Sequence, residues 1–127
     1  MWKPILAVAA GSAAGGLLRW GLSQKLNGLW VQLPPGTLVS NLIAGYIVGL
    51  AVAWLMSAPA LSPEWRLLII TGFCGGLSTF STFSVEILAL LQRGHYFLAL
   101  GGVALHLFGS LAMTAAGIAT TVWLRSP

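Results

Sequence analysis

From Thr37 to Ser57 the chain carries no charged side chain, and three other stretches, about 4–25, 65–92 and 97–124, are almost as apolar. A helix crossing a bilayer needs roughly 20 mainly apolar residues to span about 30 Å of hydrocarbon. Four such spans use up nearly all of the 127 residues, leaving only short connections. Composition excludes a water-soluble alternative: 6% of residues are charged, where a soluble domain has about 25%. Six basic and two acidic side chains form no polybasic stripe, so nucleic acid is excluded as a partner. The opening Met1-Trp2-Lys3-Pro4 with Ala7-Val8-Ala9 resembles a signal peptide, but too few apolar residues precede the small-residue site, and it is read as the first span. The expectation is an all-α membrane protein, a single four-helix transmembrane domain over 1–127 embedded in a lipid bilayer.

Asn27-Gly28 and Pro34-Pro35-Gly36 mark the first connection, Ala58 to Glu64 the second, and Arg93-Gly94-His95 a turn that returns span 4 antiparallel to span 3. Both termini then face one side. Lys3, Arg66 and Arg125 lie on that side, with Lys25, Arg93 and, by its depth, Arg19 opposite. The positive-inside rule needs an imbalance to choose an orientation, and this count supplies almost none. Dual topology is therefore open, and its natural assembly is an antiparallel homodimer with a two-fold axis in the membrane plane. Single-orientation insertion is the plainer reading of the same count.

Polar residues within spans are costly and informative. At i,i+4 spacing they form stripes: Gly11-Gly15-Arg19 on span 1, Thr37-Asn41-Gly45-Gly49 on span 2, and Gly102-His106-Ser110-Thr114 on span 4. Helix packing accounts for the glycines, because small-xxx-small faces allow close approach. Asn41 needs a partner helix or an ion for its amide. His106 reads either as a hydrogen-bonded core histidine or as part of a polar track, with no companion ligands for a metal. Arg19 and Glu86 lie near enough to span ends to snorkel. Cys74, alone in an apolar run, excludes an intrachain disulfide and reads as a buried thiol.

Span 3 is the densest segment. Gly75-Gly76 precede Ser78-Thr79-Phe80-Ser81-Thr82-Phe83-Ser84, a run with five hydroxyls in seven positions, so the helix is expected to break near Gly75–Ser78. Irregular backbone at membrane depth is tolerated where it is buried in protein or lines an ionic site, which makes the freed carbonyls candidate cation ligands. Phe80 and Phe83 share a face at i,i+3. The spans hold no aspartate, no Ser-His-Asp set and no phosphate loop, which argues against an enzyme. The remaining lining consists of neutral donors, namely the Asn41 amide and the hydroxyls of Thr37, Ser81, Thr82, Ser110 and Thr114, with Arg19 toward one end. Donors without fixed acids favour an anion, and phenylalanine adds a positive ring edge.

The order and spacing of these stripes over the whole chain resemble the Fluc (CrcB) family of fluoride channels, above all in Gly36-Thr37-Leu38-Val39-Ser40-Asn41 and in Gly72-Phe73-Cys74-Gly75-Gly76-Leu77-Ser78-Thr79-Phe80-Ser81-Thr82-Phe83. The resemblance implies a dual-topology antiparallel homodimer in the bacterial inner membrane, exporting fluoride passively through two pathways built from both subunits. By that likeness Phe80 and Phe83 present ring edges to fluoride, and Asn41 is a donor. Thr37, Ser110 and the hydroxyls Ser81 and Thr82 continue the track, while Arg19 stands near a vestibule. Gly75 and Ser78 give backbone carbonyls to a structural sodium ion at the dimer centre. His106 falls where a smaller polar residue is expected, followed on its face by Thr114. Two other classes fit the size: a small multidrug-type proton antiporter, which needs an embedded carboxylate that spans 1 and 2 lack, and a structural subunit of a membrane complex, which leaves the phenylalanine and hydroxyl run unexplained.

Overall fold

A computed structural model describes all 127 residues, with helices joined by short turns and no strand. Four helices are long and apolar enough to cross a membrane: Trp2–Leu29, Pro35–Met56, Pro63–Gln92 and Tyr96–Arg125. The first is α1 (Trp2–Leu26) followed by a 3₁₀ turn at Asn27–Leu29, and the second is α2 (Pro35–Met56). The third is composite: α3 (Pro63–Arg66), a π-helical stretch Leu67–Cys74, α4 (Gly75–Leu77), and α5 (Phe80–Gln92). The fourth is α6 (Tyr96–Arg125).

Local chemistry sets the ends of these elements. Pro35 opens α2 at a position where a missing N–H costs nothing. Asn27 Oδ1 accepts the Gly36 N–H at 2.7 Å and ties the first loop to that helix start. The third span starts at Pro63, ahead of the expected Trp65, because Ser62 caps it by accepting the Glu64 N–H. At the far end Gly94 takes φ +79, a left-handed conformation that suits glycine. There the Gly94 N–H donates to Leu91 O and the His95 N–H to Leu90 O, which closes the helix end in a Schellman turn and sends α6 back along α5.

Two glycine seams hold the four spans together. A Cβ on Gly11 would collide with the Leu68 carbonyl, and one on Gly15 with that of Phe73, so α1 lies backbone to backbone against the π-helical stretch. Likewise a Cβ on Gly49 would strike the Thr114 carbonyl and one on Gly117 that of Tyr46, which joins α2 to α6. Without a hydrophobic driving force between helices in lipid, this close approach and its dispersion contacts are the main source of association. Tyr46 Oη and Thr120 Oγ1 at 2.9 Å, and Thr121 Oγ1 donating to Leu50 O at 3.2 Å, add hydrogen bonds across the second seam. Cys74 is buried with Ala44 and Leu77, while Leu33 folds down from the first loop onto Leu90 and Ala99.

Candidate functional site

The glycines Gly75 and Gly76 do not themselves leave the helix. Gly75 is helical, at φ −64 and ψ −38, whereas the extended residues are the next two, Ser78 at φ −77, ψ 156 and Thr79 at φ −150, ψ 116. They lie midway along the third span, and their backbone groups have found substitutes. The Thr79 N–H donates to Asn41 Oδ1 at 2.7 Å, and Asn41 Nδ2 donates to Thr79 O at 3.2 Å. One side-chain amide thus pairs with both backbone groups of Thr79, as a neighbouring strand would. Thr79 Oγ1 then caps α5 by accepting the Thr82 N–H at 3.1 Å, the usual role of a hydroxyl at a helix start. Neighbouring hydroxyls extend this cap, with Thr79 Oγ1 at 3.0 Å from Thr82 Oγ1 and 3.4 Å from Ser81 Oγ.

Beside this pair runs a groove of about 900 Å³. Of the residues singled out by sequence, it gathers Asn41, Gly75, Ser78, Phe80, Phe83, His106, Ser110 and Thr114. Phe80 and Phe83 stand with ring centroids 5.6 Å apart and planes tilted by 56°. Phe83 lies 4.6 Å from the His106 ring, within the range of favourable aromatic contacts. Phe80, at the outer lip, is 79% exposed in the single chain. His106 is 5% exposed and forms part of the inner wall. The groove has no ionisable acid in its lining.

Other expected residues are elsewhere. Thr37 is buried, 1% exposed, and donates to Glu86 Oε2 at 2.5 Å on a face of α5 turned away from the groove. Glu86 therefore does not reach for the membrane surface: a hydroxyl on α2 holds it between helices. Arg19 does not extend freely either, since its Nε donates to the Gly76 carbonyl at 3.0 Å and ties α1 to α4. Ser81 and Thr82 stay with the cap of α5, outside the groove lining. Thr114 Oγ1 donates to Ser110 O one turn back. In the sequence Thr79 is only one of five hydroxyls in the run; the signal that marks it out is a threonine directly ahead of a helical stretch. The pairing of Glu86 with Thr37 has no local signal at all.

These features define a class: an all-helical integral membrane protein with a mainly apolar groove, free of carboxylates and carrying an amide, an imidazole and hydroxyls, beside an irregular third span. Comparison with known sequences then identifies the particular family. The chain belongs to the CrcB family, whose profile, described as "CrcB-like protein, Camphor Resistance (CrcB)", matches residues 6–118. It is 68% identical to the "Fluoride-specific ion channel FluC" of Nitrosomonas europaea over 99% of each chain. It is 61% identical to the protein of that name from Pseudomonas putida over 94% of each, and 56% identical to that from Escherichia coli over 92% of this chain and 93% of the other. Its four apolar spans and bacterial relatives make it an integral protein of the bacterial plasma membrane.

Proposed function

We propose that the chain is a fluoride-selective channel, working as an antiparallel, dual-topology homodimer with two pathways, each walled by both subunits. The observation that carries this reading is the lining of the groove: among aliphatic side chains it sets phenylalanine rings, an imidazole, an amide and hydroxyls, with neither Glu64 nor Glu86 among them. Ring edges and neutral donors suit a small anion. A cation pathway would carry acidic rings or a carbonyl filter. The groove is open along the side where Phe80 is exposed, and a second copy would close it there. Thr37, Ser81 and Thr82 lie outside this groove and would continue the pathway on the other side of α5, with Arg19 contributing positive charge on the side of α1.

Fluoride holds its water strongly, so a selective pathway must replace those hydrogen bonds one by one. Larger chloride is then excluded by the width of a lining that cannot spread. Export needs no energy source, because at a negative interior potential each departing anion gains about 2.3 kcal/mol per 100 mV.

The carbonyls of Gly75 and Ser78, from both subunits, would hold a sodium ion at the dimer centre. Their own amide partners support the fit. In an uninterrupted helix the Thr79 N–H would close on Gly75 O and the Thr82 N–H on Ser78 O, but these go to Asn41 Oδ1 and Thr79 Oγ1. Neutral oxygen donors with no carboxylate favour a monovalent hard cation. Such an ion ties the subunits together and is not coupled to transport.

Efflux from liposomes tests the reading. Reconstituted protein should release fluoride and retain chloride, and equal release of both, or of neither, rejects it. Lysines added to the first loop or to the C-terminus should each fix one orientation and abolish flux, with activity returning when the two variants are co-expressed. Full activity from one fixed orientation excludes the antiparallel dimer. Exchange of sodium for a bulky organic cation should weaken the dimer or stop flux over hours, and no change after verified sodium loss removes the ion from the proposal.

A further inference from the structure

A second groove, of about 500 Å³, opens at the end of the bundle that carries both termini, and it shares no lining residue with the groove beside Ser78–Thr79. Trp54, Leu61, Trp65 and Leu124 stand at its outer rim, with Ile47 and Ile69 at its inner end. Ile47 precedes Trp54 by seven residues, about 10 Å along α2, so the groove runs well into one leaflet of a hydrocarbon layer about 30 Å thick. Nine of its ten lining residues are apolar. The tenth, Thr121, donates its hydroxyl to Leu50 O, which leaves the interior without a free polar side chain. Four of the six tryptophans, Trp2, Trp54, Trp65 and Trp123, lie at this end, and tryptophan favours the headgroup layer.

Charge at the rim decides between lipid and protein as the occupant. Arg125 stacks its guanidinium on the Trp54 ring, 4.5 Å from the centroid. Its Nη1 donates to Trp54 O at 3.4 Å and to Ser57 Oγ, so Nε and Nη2 remain for a two-point contact with an oxyanion. No carboxylate answers this charge, because Glu64 bonds to Ser62 and Glu86 to Thr37. These are the only two acidic side chains in the sequence, so a second copy of the chain has none to spare for Arg125. A phospholipid brings both parts at once, an apolar chain and a phosphate at headgroup depth. Lys3 and Arg66 add positive charge at the same end, which favours a headgroup with no cation of its own. We propose that this groove holds one acyl chain of an anionic phospholipid, with its phosphate on Arg125. The site uses no residue of the ion pathway, so the channel reading stands whether or not lipid binds here.

The test is native mass spectrometry of the full-length protein released from vesicles that hold phosphatidylglycerol and phosphatidylcholine of matched chains in equal amounts. Wild type should retain phosphatidylglycerol in preference. Arg125→Gln should cut that preference about fivefold, the factor equivalent to about 1 kcal/mol for a basic residue at an anionic surface. Lys3→Gln, which removes a cation held over Trp2 at the same end, should change it little. A benzoylphenylalanine replacing Leu61, photolysed in the same vesicles, should form a phospholipid adduct. Equal retention of the two lipids by wild type overturns the proposal. So does an equal loss in Lys3→Gln and Arg125→Gln, since the preference would then belong to surface charge and not to a site. Photolysis that joins position 61 to a second copy of the chain puts protein in the groove and overturns it as well. The photolysis keeps Arg125, so a misfolded Arg125→Gln does not blunt the test.

Discussion

The α1 seam and the Ser78–Thr79 region lie within a few residues of each other on the third span, yet they meet the demands of the membrane in opposite ways. Along the seam, side chains are removed: Gly11, Gly15 and Gly76 bring carbonyls of one helix against the backbone of the next. At Ser78–Thr79 side chains are added, and Asn41, Thr79 and Arg19 take up backbone groups. Both are irregular by the standard of a plain apolar helix. The seam has no room for anything but protein, whereas the extended pair opens onto a groove. The difference teaches that the seam glycines mark contact in this fold, and that hydroxyl and amide side chains mark the place where the backbone leaves the helix beside a groove.

Substitutions in the seam should have the largest effect. Gly15→Val or Gly49→Val places a side chain onto a carbonyl that cannot move without its helix. Overpacking already costs about 1–3 kcal/mol where side chains can give way. Here we expect loss of folded protein, seen as loss of the monodisperse peak in size-exclusion chromatography. Gly16→Ala, whose Cβ meets nothing within 4 Å, should elute and conduct as wild type. A normal peak from both valine variants would mean that the seam is not what holds the bundle.

An intermediate effect is expected at the groove. Phe83→Ile and Phe80→Ile keep bulk and lose the ring edge, so fluoride flux should fall about tenfold or more, equivalent to about 1.4 kcal/mol in the barrier, with an unchanged elution profile. Wild-type flux in both would leave the rings as packing alone.

The smallest effect belongs to the cap. Thr79→Val removes the acceptor for the Thr82 N–H but leaves the Asn41 pairing with the Thr79 backbone intact. Thermal unfolding in detergent should show a loss of about 1 kcal/mol with measurable flux. A collapse as severe as Gly15→Val would show that the hydroxyl, and not the asparagine, keeps Ser78–Thr79 extended.

Much of this was legible in the chain itself. Span number and the antiparallel return of α6 follow from runs of apolar residues and from Gly94, since the cost of exposing polar groups to hydrocarbon and of a positive φ are properties of short segments. The helical stripes also placed Asn41, His106, Ser110 and Thr114 on faces that meet in the groove. What only the tertiary structure decided is which polar groups meet. Asn41 finds Thr79 at a separation of 38 residues and His106 at 65, and Arg19 finds Gly76 at 57. No periodicity encodes those distances. Glycine contact and a polar stripe can be read from local pattern because each is a property of one helix. A hydrogen bond between helices depends on their relative depth and rotation, which packing alone sets, so Arg19 became a tie to α4 and Asn41 a partner to the Thr79 backbone and to His106.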